Sequence, residues 1–410
     1  MTISLIGAGA AGCFAAIQLA RLLPHADIRV YERLHKPLAK VALTGGGRCN
    51  LTNSFSQVSS MEAVYPRGAR LMKRLLKEFS HTDTMRWFEQ AGVPLLTQPD
   101  QCVFPVSQNA RDIVHCLLRQ MQQLGVKLHC SCRITAIQAV SPGYQIEFAD
   151  RPAVHSQIVI VTTGGSPRPA GLSFLSALQV PTVPPVPSLF SFSLVQHPLA
   201  SLSGTVVEHA AVRLAGTKFK ASGPLLVTHW GLSGPAILRL SSVAARHLHE
   251  SNYQASLSVN WLGETGEAEA LQLIGQMAAA HPQKQVGSVW PVQLNHRLWL
   301  HLLHSSDVAS NLRWSALSGK ASRRLAARLT NHNFSIDGRN PYKEEFVTCG
   351  GVSLGSINPR TLECREHPGL YFAGEVLDVD AVTGGFNLQA AWTMGHVVAK
   401  AVAGKEVHKM

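Results

Sequence analysis

The first 32 residues read as strand, glycine turn, helix, strand and acid, and this order constrains the fold more tightly than any other feature. Residues 3–6 are apolar and β-prone, and the segment 7–12 (GAGAAG) follows at once. An apolar helix pattern covers 13–23, and a second strand ends at Glu32, twenty positions past Gly12. A G-x-G-x-x-G turn in this context is typical of a dinucleotide-binding βαβ unit. The segment predicts an α/β fold with a Rossmann-like parallel sheet.

Each glycine of such a turn has a physical role. Gly7 permits the tight turn, Gly9 lets the backbone approach a pyrophosphate, and Gly12 lets helix and strand pack closely. The phosphates would lie against the free N–H groups of the helix N terminus. Glu32 can accept hydrogen bonds from ribose hydroxyls, which favours an unphosphorylated ribose over NADP. The alternative is an ordinary βαβ turn without a nucleotide.

A second glycine segment lies at 44–53 (TGGGRCNLTN), after a basic, proline-containing loop at 33–40. Three consecutive glycines are costly to order, so they predict close backbone approach to a pyrophosphate or a flavin ring, with Arg48 as a fixed cation. A flexible loop is the alternative. The 33–40 loop is expected to lie along the ribose and phosphates. Cys49 has no nearby cysteine partner and is expected to be a small buried thiol.

The C-terminal region favours FAD over NAD. An apolar strand at 370–372 ends in Ala-Gly-Glu, which would place Glu375 beside a ribityl chain. Gly384 and Gly385 open the last helix and would direct backbone N–H groups at the pyrophosphate or the flavin carbonyls. The apolar run 157–161 ends in a small-residue turn at Gly164 that resembles the turn near the adenine half of FAD in flavoproteins. An NAD domain does not need this distal half.

Length and composition predict a multidomain globular protein. With 410 residues and 37 Lys plus Arg against 25 Asp plus Glu, the chain carries a net charge of +12, which favours anionic partners. We expect a FAD-binding domain in two parts, 1–188 and 345–410, around an inserted region at 189–344. The Pro- and Ser-rich stretch 166–188 is interpreted as the domain crossing. The basic clusters 67–77 and 320–328 have helical spacing and are interpreted as solvated helix faces.

Several other features lead to expected absences. The eight cysteines have no zinc-like spacing, and Cys130 and Cys132 are expected on one face of a strand; a reducing compartment, the cytoplasm, fits best. The nineteen histidines form no recognisable metal-ligand set, so no metal is assigned. No apolar stretch is long enough to span a membrane, and the apolar first 23 residues are explained by the strand and helix rather than by export.

A helix is predicted at 82–91, with Thr82 and Asp83 as its cap and first-turn acid.

Five motifs together resemble the YhiN-type, or BaiN/RdsA-like, family of bacterial flavoproteins: TGGGRCNLTN, DTMRWFEQAGVPL, THWGLSGPAIL, VTCGGVSL and GLYFAGEVLDVD…TGGFNLQAAW. The resemblance covers almost the whole chain. It implies a Rossmann-like FAD-binding domain of the glutathione-reductase type, interrupted by an inserted β-rich plus helical region. Relatives described as aminoacetone oxidase and as a bile-acid reductase imply redox chemistry on small organic molecules.

The predicted cofactor-binding residues come from the motifs and from the loops between them. Motif matching implies FAD contacts at Gly7, Gly9, Ala10, Ala11, Gly12, Glu32, Arg48, Ile134, Gly374, Glu375, Asn387, Leu388 and Gln389. The loop arguments add Arg33, Lys40, Gly47, Cys49, Asn50, Gly164, Gly384 and Gly385.

These observations predict a FAD-dependent oxidoreductase that moves a hydride between a small organic substrate and flavin N5. No catalytic acid or base is identifiable; His229 is a candidate base, and a structural histidine is an equal alternative. Without a second G-x-G-x-x-G, the redox partner is oxygen, transiently bound NAD(P)H or a protein carrier. Two other classes stay open: a flavoprotein acting on RNA, such as a tRNA modifier, although nucleic acid is not the expected partner, and a non-catalytic FAD-binding sensor. The oligomeric state is not predicted.

Overall fold

The computed structural model describes residues 1–166, 168–196, 198–339 and 347–407. The chain forms two compact units: residues 1–186 with 347–410 make the first, and residues 187–346 make the second. The inserted unit thus divides the first unit into two sequence segments. The domain boundaries expected above remain a prediction.

The strands of the described residues are β1 (Thr2–Ile6), β2 (Asp27–Tyr31), β3 (Thr52–Asn53), β4 (Leu95–Thr97), β5 (Cys102–Pro105), β6 (Lys127–His129), β7 (Ile134–Ala139), β8 (Tyr144–Phe148), β9 (Val154–Ser156), β10 (Ile158–Val161), β11 (Thr182–Ser188), β12 (Phe192–Leu194), β13 (Val206–Leu214), β14 (Lys220–Val227), β15 (Gly231–Ser233), β16 (Ala255–Asn260), β17 (His332–Arg339), β18 (Val347–Val352) and β19 (Leu370–Phe372).

The α-helices of the same residues are α1 (Ala10–Leu22), α2 (Ala39–Gly47), α3 (Met61–Val64), α4 (Ala69–Leu75), α5 (His81–Gln90), α6 (Ala110–Gln123), α7 (Pro235–Val243), α8 (Ala245–Glu250), α9 (Glu267–Ala280), α10 (His296–His304), α11 (Gly319–Thr330) and α12 (Phe386–Val407).

A five-stranded parallel sheet is the centre of the first unit, in the order β19-β10-β1-β2-β6. Its strands β10 (IVIV) and β19 (LYF) are buried runs of apolar residues, as is typical of parallel strands that have helices on both faces of the sheet. Helix α1 lies against α12, and Gly395 makes this possible, since a Cβ there would lie 2.9 Å from Ala11 O. This strand order is that of a Rossmann-like half. The prediction of a Rossmann-like α/β domain is confirmed.

Three smaller sheets complete the first unit: β3-β5-β4, β7-β8-β9 and the pair β11-β18. The stretch 166–188, interpreted above as the domain crossing, contains a strand that was not expected, Thr182–Ser188. Its prolines are accommodated because a two-stranded sheet leaves each strand an edge, where a missing N–H costs no ladder bond.

The second unit is built on a closed six-stranded antiparallel barrel, β12-β15-β14-β13-β16-β17. Helices α7 to α11 belong to the same unit. Its core contains the fully buried indoles of Trp261, Trp299 and Trp314. The prediction of a separate β-rich and helical region is thereby confirmed.

Two local predictions are wrong. The cap of α5 is Ser80, whose hydroxyl accepts from Asp83 N at 3.3 Å while Asp83 Oδ2 accepts from Ser80 N at 2.9 Å. The helix therefore begins two residues earlier than a Thr82 cap requires, and Asp83 is in its first turn, as expected. Cys130 and Cys132 lie between β6 and β7 rather than on a strand, because Ser131 has a left-handed φ of 54°.

Candidate functional site

The candidate site lies at the carboxyl edge of the parallel sheet. From β1 the chain proceeds to β2 and β6 on one side, and it later adds β10 and β19 on the other side. The strand order therefore reverses next to β1, and ligands of open α/β sheets bind in the crevice at such a point. Each of the five strands is followed at this edge by one of the predicted residues or by a segment that leads to one.

The glycine turn after β1 is held against the end of β10. The Thr162 hydroxyl donates to Ile6 O at 3.0 Å and to Gly7 O at 2.8 Å. Gly7 has a φ of 106°, and a Cβ on Gly12 would lie 2.0 Å from Gly7 O and 2.6 Å from Thr162 Oγ1. Any side chain at residue 12 would push α1 away from β1. Thr162 was not among the predicted site residues. Its position at the end of an apolar strand is the sequence feature that could have indicated it.

The N terminus of α1 is open for an anion. Gly9 stands at the cap position without a side-chain cap, and the first turn, which includes Ala10 and Ala11, carries no acidic residue. No described atom lies within 4 Å of a Cβ built on Gly9. The backbone N–H groups and the positive end of the helix dipole are thus available to a phosphate at this edge.

Glu32 follows β2 and is half-buried. Its Oε2 accepts from Ala8 N at 2.8 Å, and its Oε1 accepts from Leu34 N at 2.9 Å. A carboxylate oxygen accepts more than one hydrogen bond, so both oxygens can also accept from ribose hydroxyls. The backbone of Glu32 pairs with the segment that leads to Ile134, since Cys132 N donates to Glu32 O at 2.8 Å. Glu32 and Ile134 are therefore brought to the same side of the sheet.

The segment 44–50 is a kinked turn rather than a flexible loop. Thr44, Gly45 and Gly46 have non-helical backbone angles within α2, and no described atom lies within 4 Å of a Cβ built on Gly46 or Gly47. The Arg48 guanidinium lies 4.5 Å from the centroid of the Phe104 ring, and its Nε donates to Gly45 O at 3.1 Å. The turn thus presents bare backbone beside an exposed, oriented cation.

Cys49 is a buried thiol, as the sequence indicated. Burial raises the pKa of its thiol to about 12, while a hydrogen bond with the Thr44 side chain acts in the opposite direction. The thiolate is the nucleophilic and redox-active form of cysteine. Cys49 therefore contributes volume to the turn rather than a reactive thiolate.

The same turn contacts the glycine pair that opens α12. In the orientation that satisfies its hydrogen bonds, the Asn50 amide accepts from Gly385 N at 3.2 Å and donates to Thr52 O at 3.0 Å. Asn53 Nδ2 donates to Gly384 O at 3.1 Å. A Cβ on Gly385 would lie 2.3 Å from Thr52 O, so only glycine fits there. Two sequence segments more than 300 residues apart thus form one continuous backbone surface.

Glu375 follows β19 and is in contact with residues from other segments of the candidate site. Its Oε1 accepts from Thr348 N at 2.8 Å, and its Oε2 lies 3.6 Å from Lys40 Nζ. Gly164, at the end of β10, has a φ of 73°, and a Cβ there would lie 3.8 Å from Glu375 Oε2. Lys40, Gly164 and Glu375 come from three distant segments and were all predicted. The structure brings them within contact range.

The residues that hold the entry to α12 were not predicted. Arg67 forms a bidentate pair with buried Asp380, with Nε donating to Oδ1 at 2.6 Å and a second bond between Nη2 and Oδ2. The Tyr65 hydroxyl donates to Phe386 O at 3.0 Å. Neither Arg67 nor Tyr65 was predicted, because their partners lie more than 300 residues away and no local pattern links them.

The structure assigns three predicted polar side chains to positions within the fold. The Gln389 side chain is buried and accepts from Thr52 Oγ1 at 2.6 Å while donating to Thr393 at 2.9 Å. The Asn387 amide is bonded to both backbone groups of Ala381. Arg33 is exposed beyond Glu32, and Leu388 is half-buried in the first turn of α12. A direct cofactor contact by the side chain of Asn387 or Gln389 remains a prediction.

His229, the candidate base, is exposed in the turn between β14 and β15, with its ring centroid 4.3 Å from that of Trp230. It belongs to the second unit. In the described parts of the chain, no group of three or more His, Cys, Asp or Glu side chains forms a candidate metal site. Over those same parts, no helix has the length and hydropathy needed to cross a bilayer.

The residues at this edge fit FAD. Gly9, Gly46 and Gly47 have no Cβ, and the space that a Cβ would occupy is open. A pyrophosphate and a planar ring can therefore lie close to the backbone at these positions. Glu32 and Glu375 supply hydroxyl acceptors at two different strands, and Lys40 and Arg48 supply cations. The first turns of both α1 and α12 lack acidic residues. This donor and acceptor set matches a molecule that has two phosphates between two hydroxylated chains.

Comparison with characterised proteins gives relatives over the full length. The chain is 28% identical to a 3-dehydro-bile acid Δ4,6-reductase of Clostridium scindens, over 98% of each chain. It is 27% identical to a ribosomal RNA dihydrouridine synthase of Escherichia coli, over 97% of this chain and 96% of the relative.

Solved structures share the fold. The quinol fumarate reductase subunit of E. coli superposes with a TM-score of 0.51 at 14% identity, covering 100% of this chain and 71% of that chain. A 3-ketosteroid-Δ4-(5α)-dehydrogenase of Rhodococcus jostii superposes with a TM-score of 0.50 at 16% identity, covering 98% and 96%.

The geometry and the comparisons lead to one assignment. The full-length relatives are named as a reductase and as a dihydrouridine synthase, and the residues of the candidate site fit FAD. The family model described as HI0933-like protein Rossmann domain matches residues 1–401, and the chain therefore belongs to the HI0933-like family.

Proposed function

We propose that this FAD-dependent oxidoreductase transfers a hydride between a small organic substrate and N5 of the flavin. One observation carries the proposal: the bare backbone of 45–47 and the glycine pair 384–385 are joined into one surface by Asn50 and Asn53. Such a surface suits a flat, hydrogen-bonding ring better than a phosphate alone. When bound, FAD supplies the hydride donor or acceptor.

The residues of the chain would bind FAD and hold it in a fixed orientation. Gly9 and the first turn of α1 would hold the pyrophosphate, and Glu32 and Glu375 would accept from the hydroxyl groups on either side of it. The N–H groups at the start of α12 and the Arg48 guanidinium would favour negative charge on the ring. The buried hydrogen bonds of Gln389 and Asn387 fix the helix that carries those N–H groups.

The redox partner is tested by an anaerobic titration. The 410-residue sequence contains no second G-x-G-x-x-G, so NADH or NADPH would bind transiently at the substrate side. We expect purified protein to show a flavin spectrum that one of the two nucleotides bleaches in the absence of oxygen. A flavin spectrum unaffected by either nucleotide would indicate an oxidase or a protein electron carrier. No flavin after incubation with FAD would overturn the proposal.

A pyrimidine in RNA is a second candidate substrate. The relatives named as ribosomal RNA dihydrouridine synthases span the full chain, and the net charge is +12. The specific observation in its favour is a basic face on α4, described below. Mass spectrometry of ribosomal RNA from cells with and without the gene tests it, since each reduced pyrimidine adds two hydrogens. Unchanged RNA would remove this candidate and leave the small-molecule proposal.

The eight cysteines, all within the described residues, form no disulfide, and seven of them are buried, which suits a reducing cytoplasm. A non-catalytic FAD sensor is the remaining alternative. Steady turnover of NADH or NADPH with oxygen or an added electron acceptor, faster than free FAD supports, would exclude it.

A further inference from the structure

One face of α4 is entirely basic. Arg70, Lys73 and Arg74 follow the spacing i, i+3, i+4 on α4, and Lys77 follows in the turn after the helix; all four side chains are exposed. The opposite side of α4, Leu71, Met72 and Leu75, is buried in the core of the first unit. Three of the four cations are thus held on a helix that is packed against the core.

This face lacks compensating acids. Within the described ranges, none of the four side chains forms an ion pair with a carboxylate. The other basic cluster differs: on α11, Arg324 lies 4.0 Å from Asp307 Oδ2, and Arg328 donates to Ser305 O at 2.9 Å. Two clusters that look alike in the sequence are therefore distinct, since α11 uses part of its charge inside its own unit and α4 does not.

A groove of about 480 Å³ continues the basic face. Arg74 lines it together with Arg360 and Lys400, the latter from the C-terminal half of α12. Lys400 is paired with Glu78 at 2.7 Å, whereas Arg74 and Arg360 have no carboxylate partner among the described residues. The groove therefore adds one further cation without a carboxylate partner among the described residues, Arg360, beside the basic face.

The face begins next to the cofactor edge. Arg67, just before α4, is bonded to Asp380 in the segment that leads into α12, and a Cβ on Gly68 would lie 2.6 Å from Val379. The seven residues of α4 advance about 10 Å along the helix axis. A polymer lying along α4 would thus have one end close to the glycine pair of the candidate site.

From this arrangement we propose that the α4 face and its groove bind the phosphate backbone of RNA. The proposal rests on the second candidate function above. Successive phosphates recur about every 3.4 Å along one strand of a duplex, so the face would meet about three of them. No large apolar side chain is exposed on this face within the described residues, so a lipid surface would gain no insertion there. A single small anion would leave most of these cations without a partner.

The test is RNA binding by the FAD-loaded protein, measured by fluorescence anisotropy with a labelled 30-nucleotide RNA hairpin from 50 to 300 mM KCl. We expect the double variant Lys73→Gln/Arg74→Gln to bind about tenfold more weakly at 50 mM KCl. The slope of log affinity against log salt should fall by about 1.4 to 1.8, because two phosphate contacts are lost. The matched control Lys320→Gln/Arg323→Gln removes the same charge from α11 and should change affinity less than threefold.

Flavin content and anaerobic reduction of each variant are measured in parallel. Normal flavin with weak RNA binding only in the α4 variant supports the surface, whether or not any pyrimidine is reduced. Absence of hairpin binding at 50 mM KCl would overturn the proposal, and so would equal losses in the α4 and α11 variants. Failure of the oxidoreductase proposal would instead appear as missing flavin in the unmodified protein.

Discussion

The side chain of Asn387 is hydrogen-bonded to both backbone groups of Ala381: Nδ2 donates to its carbonyl oxygen at 2.9 Å, and Oδ1 accepts from its N–H at 2.9 Å. Ala381 belongs to the segment between β19 and α12, and Asn387 belongs to the first turn of α12. The amide thus closes a loop around Gly384 and Gly385. The backbone of that loop faces the candidate flavin surface.

Asn387→Ala should weaken FAD binding without unfolding the protein. Two hydrogen bonds at a half-buried position contribute about 1–3 kcal/mol together, part of which would become the cost of ordering the loop on binding. We expect FAD affinity to fall about five- to fiftyfold in a fluorescence titration of apoprotein. Asn387→Asp keeps the acceptor to Ala381 N but loses the donor, so it should be intermediate. Unchanged affinity in Asn387→Ala would contradict a role for this loop.

Gly9→Ala and Gly12→Ala should separate cofactor approach from folding. The Cβ at residue 12 would lie 2.0 Å from Gly7 O, so Gly12→Ala should lower the melting temperature of the apoprotein and abolish FAD binding. The Cβ at residue 9 meets no described atom within 4 Å, so the Gly9→Ala apoprotein should melt as the unmodified apoprotein does. Gly9→Ala should nevertheless bind FAD more weakly, because its methyl group enters the phosphate side. Equal melting temperatures for the two apoprotein variants would contradict this assignment.

Breaking the Arg67–Asp380 pair should be costly. The Asp380 side chain is fully buried and that of Arg67 is 11% exposed, so removing one partner leaves a buried charge without its counter-ion. Asp380→Asn is expected to destabilise the first unit by about 3–5 kcal/mol, measured by urea unfolding. The double variant Arg67→Met/Asp380→Leu removes both charges and should recover much of that loss. A larger loss in the double variant than in Asp380→Asn would show that the charges themselves are required.

His332 should make the second unit acid-sensitive. The ring is buried beside Trp261, whose Nε1 donates to His332 Nδ1 at 3.2 Å, and it faces His301 and Arg328. Burial, with smaller effects of Arg328 and His301, lowers the His332 pKa from its usual 6.5 to about 3. The unfolded state then binds the extra proton between these values, so stability falls as the pH drops below about 6.5.

His332→Gln should therefore flatten the pH dependence of urea unfolding between pH 6.5 and the lowest pH at which the protein stays folded. One such group contributes a slope of at most about 1.4 kcal/mol per pH unit. The exposed His25 provides the control, since His25→Gln should leave the slope unchanged. An identical slope in His332→Gln and the unmodified protein would show that another buried group governs acid unfolding.

The local arguments succeeded where one segment contains the whole signal. The turn 7–12, the acid at residue 32 and the strand that leads to Glu375 were all recognisable because period and spacing are short-range properties. The exact start of α5 was not, because Ser80 and Thr82 are both acceptable caps and tertiary packing decides between them. The strand Thr182–Ser188 was missed because its prolines indicate a linker unless an edge position is known.

The sequence by itself determined the class of fold and the segments that build the candidate site, because glycine spacing, apolar runs and terminal acids follow from local stereochemistry. Only the tertiary structure decided how those segments cooperate. It joined Asn50 to Gly385, Lys40 to Glu375 and Arg67 to Asp380 across up to 335 residues of chain. It also separated the uncompensated charge of α4 from the partly paired charge of α11. Contacts between distant residues depend on the packing of whole layers, and no local pattern contains that information.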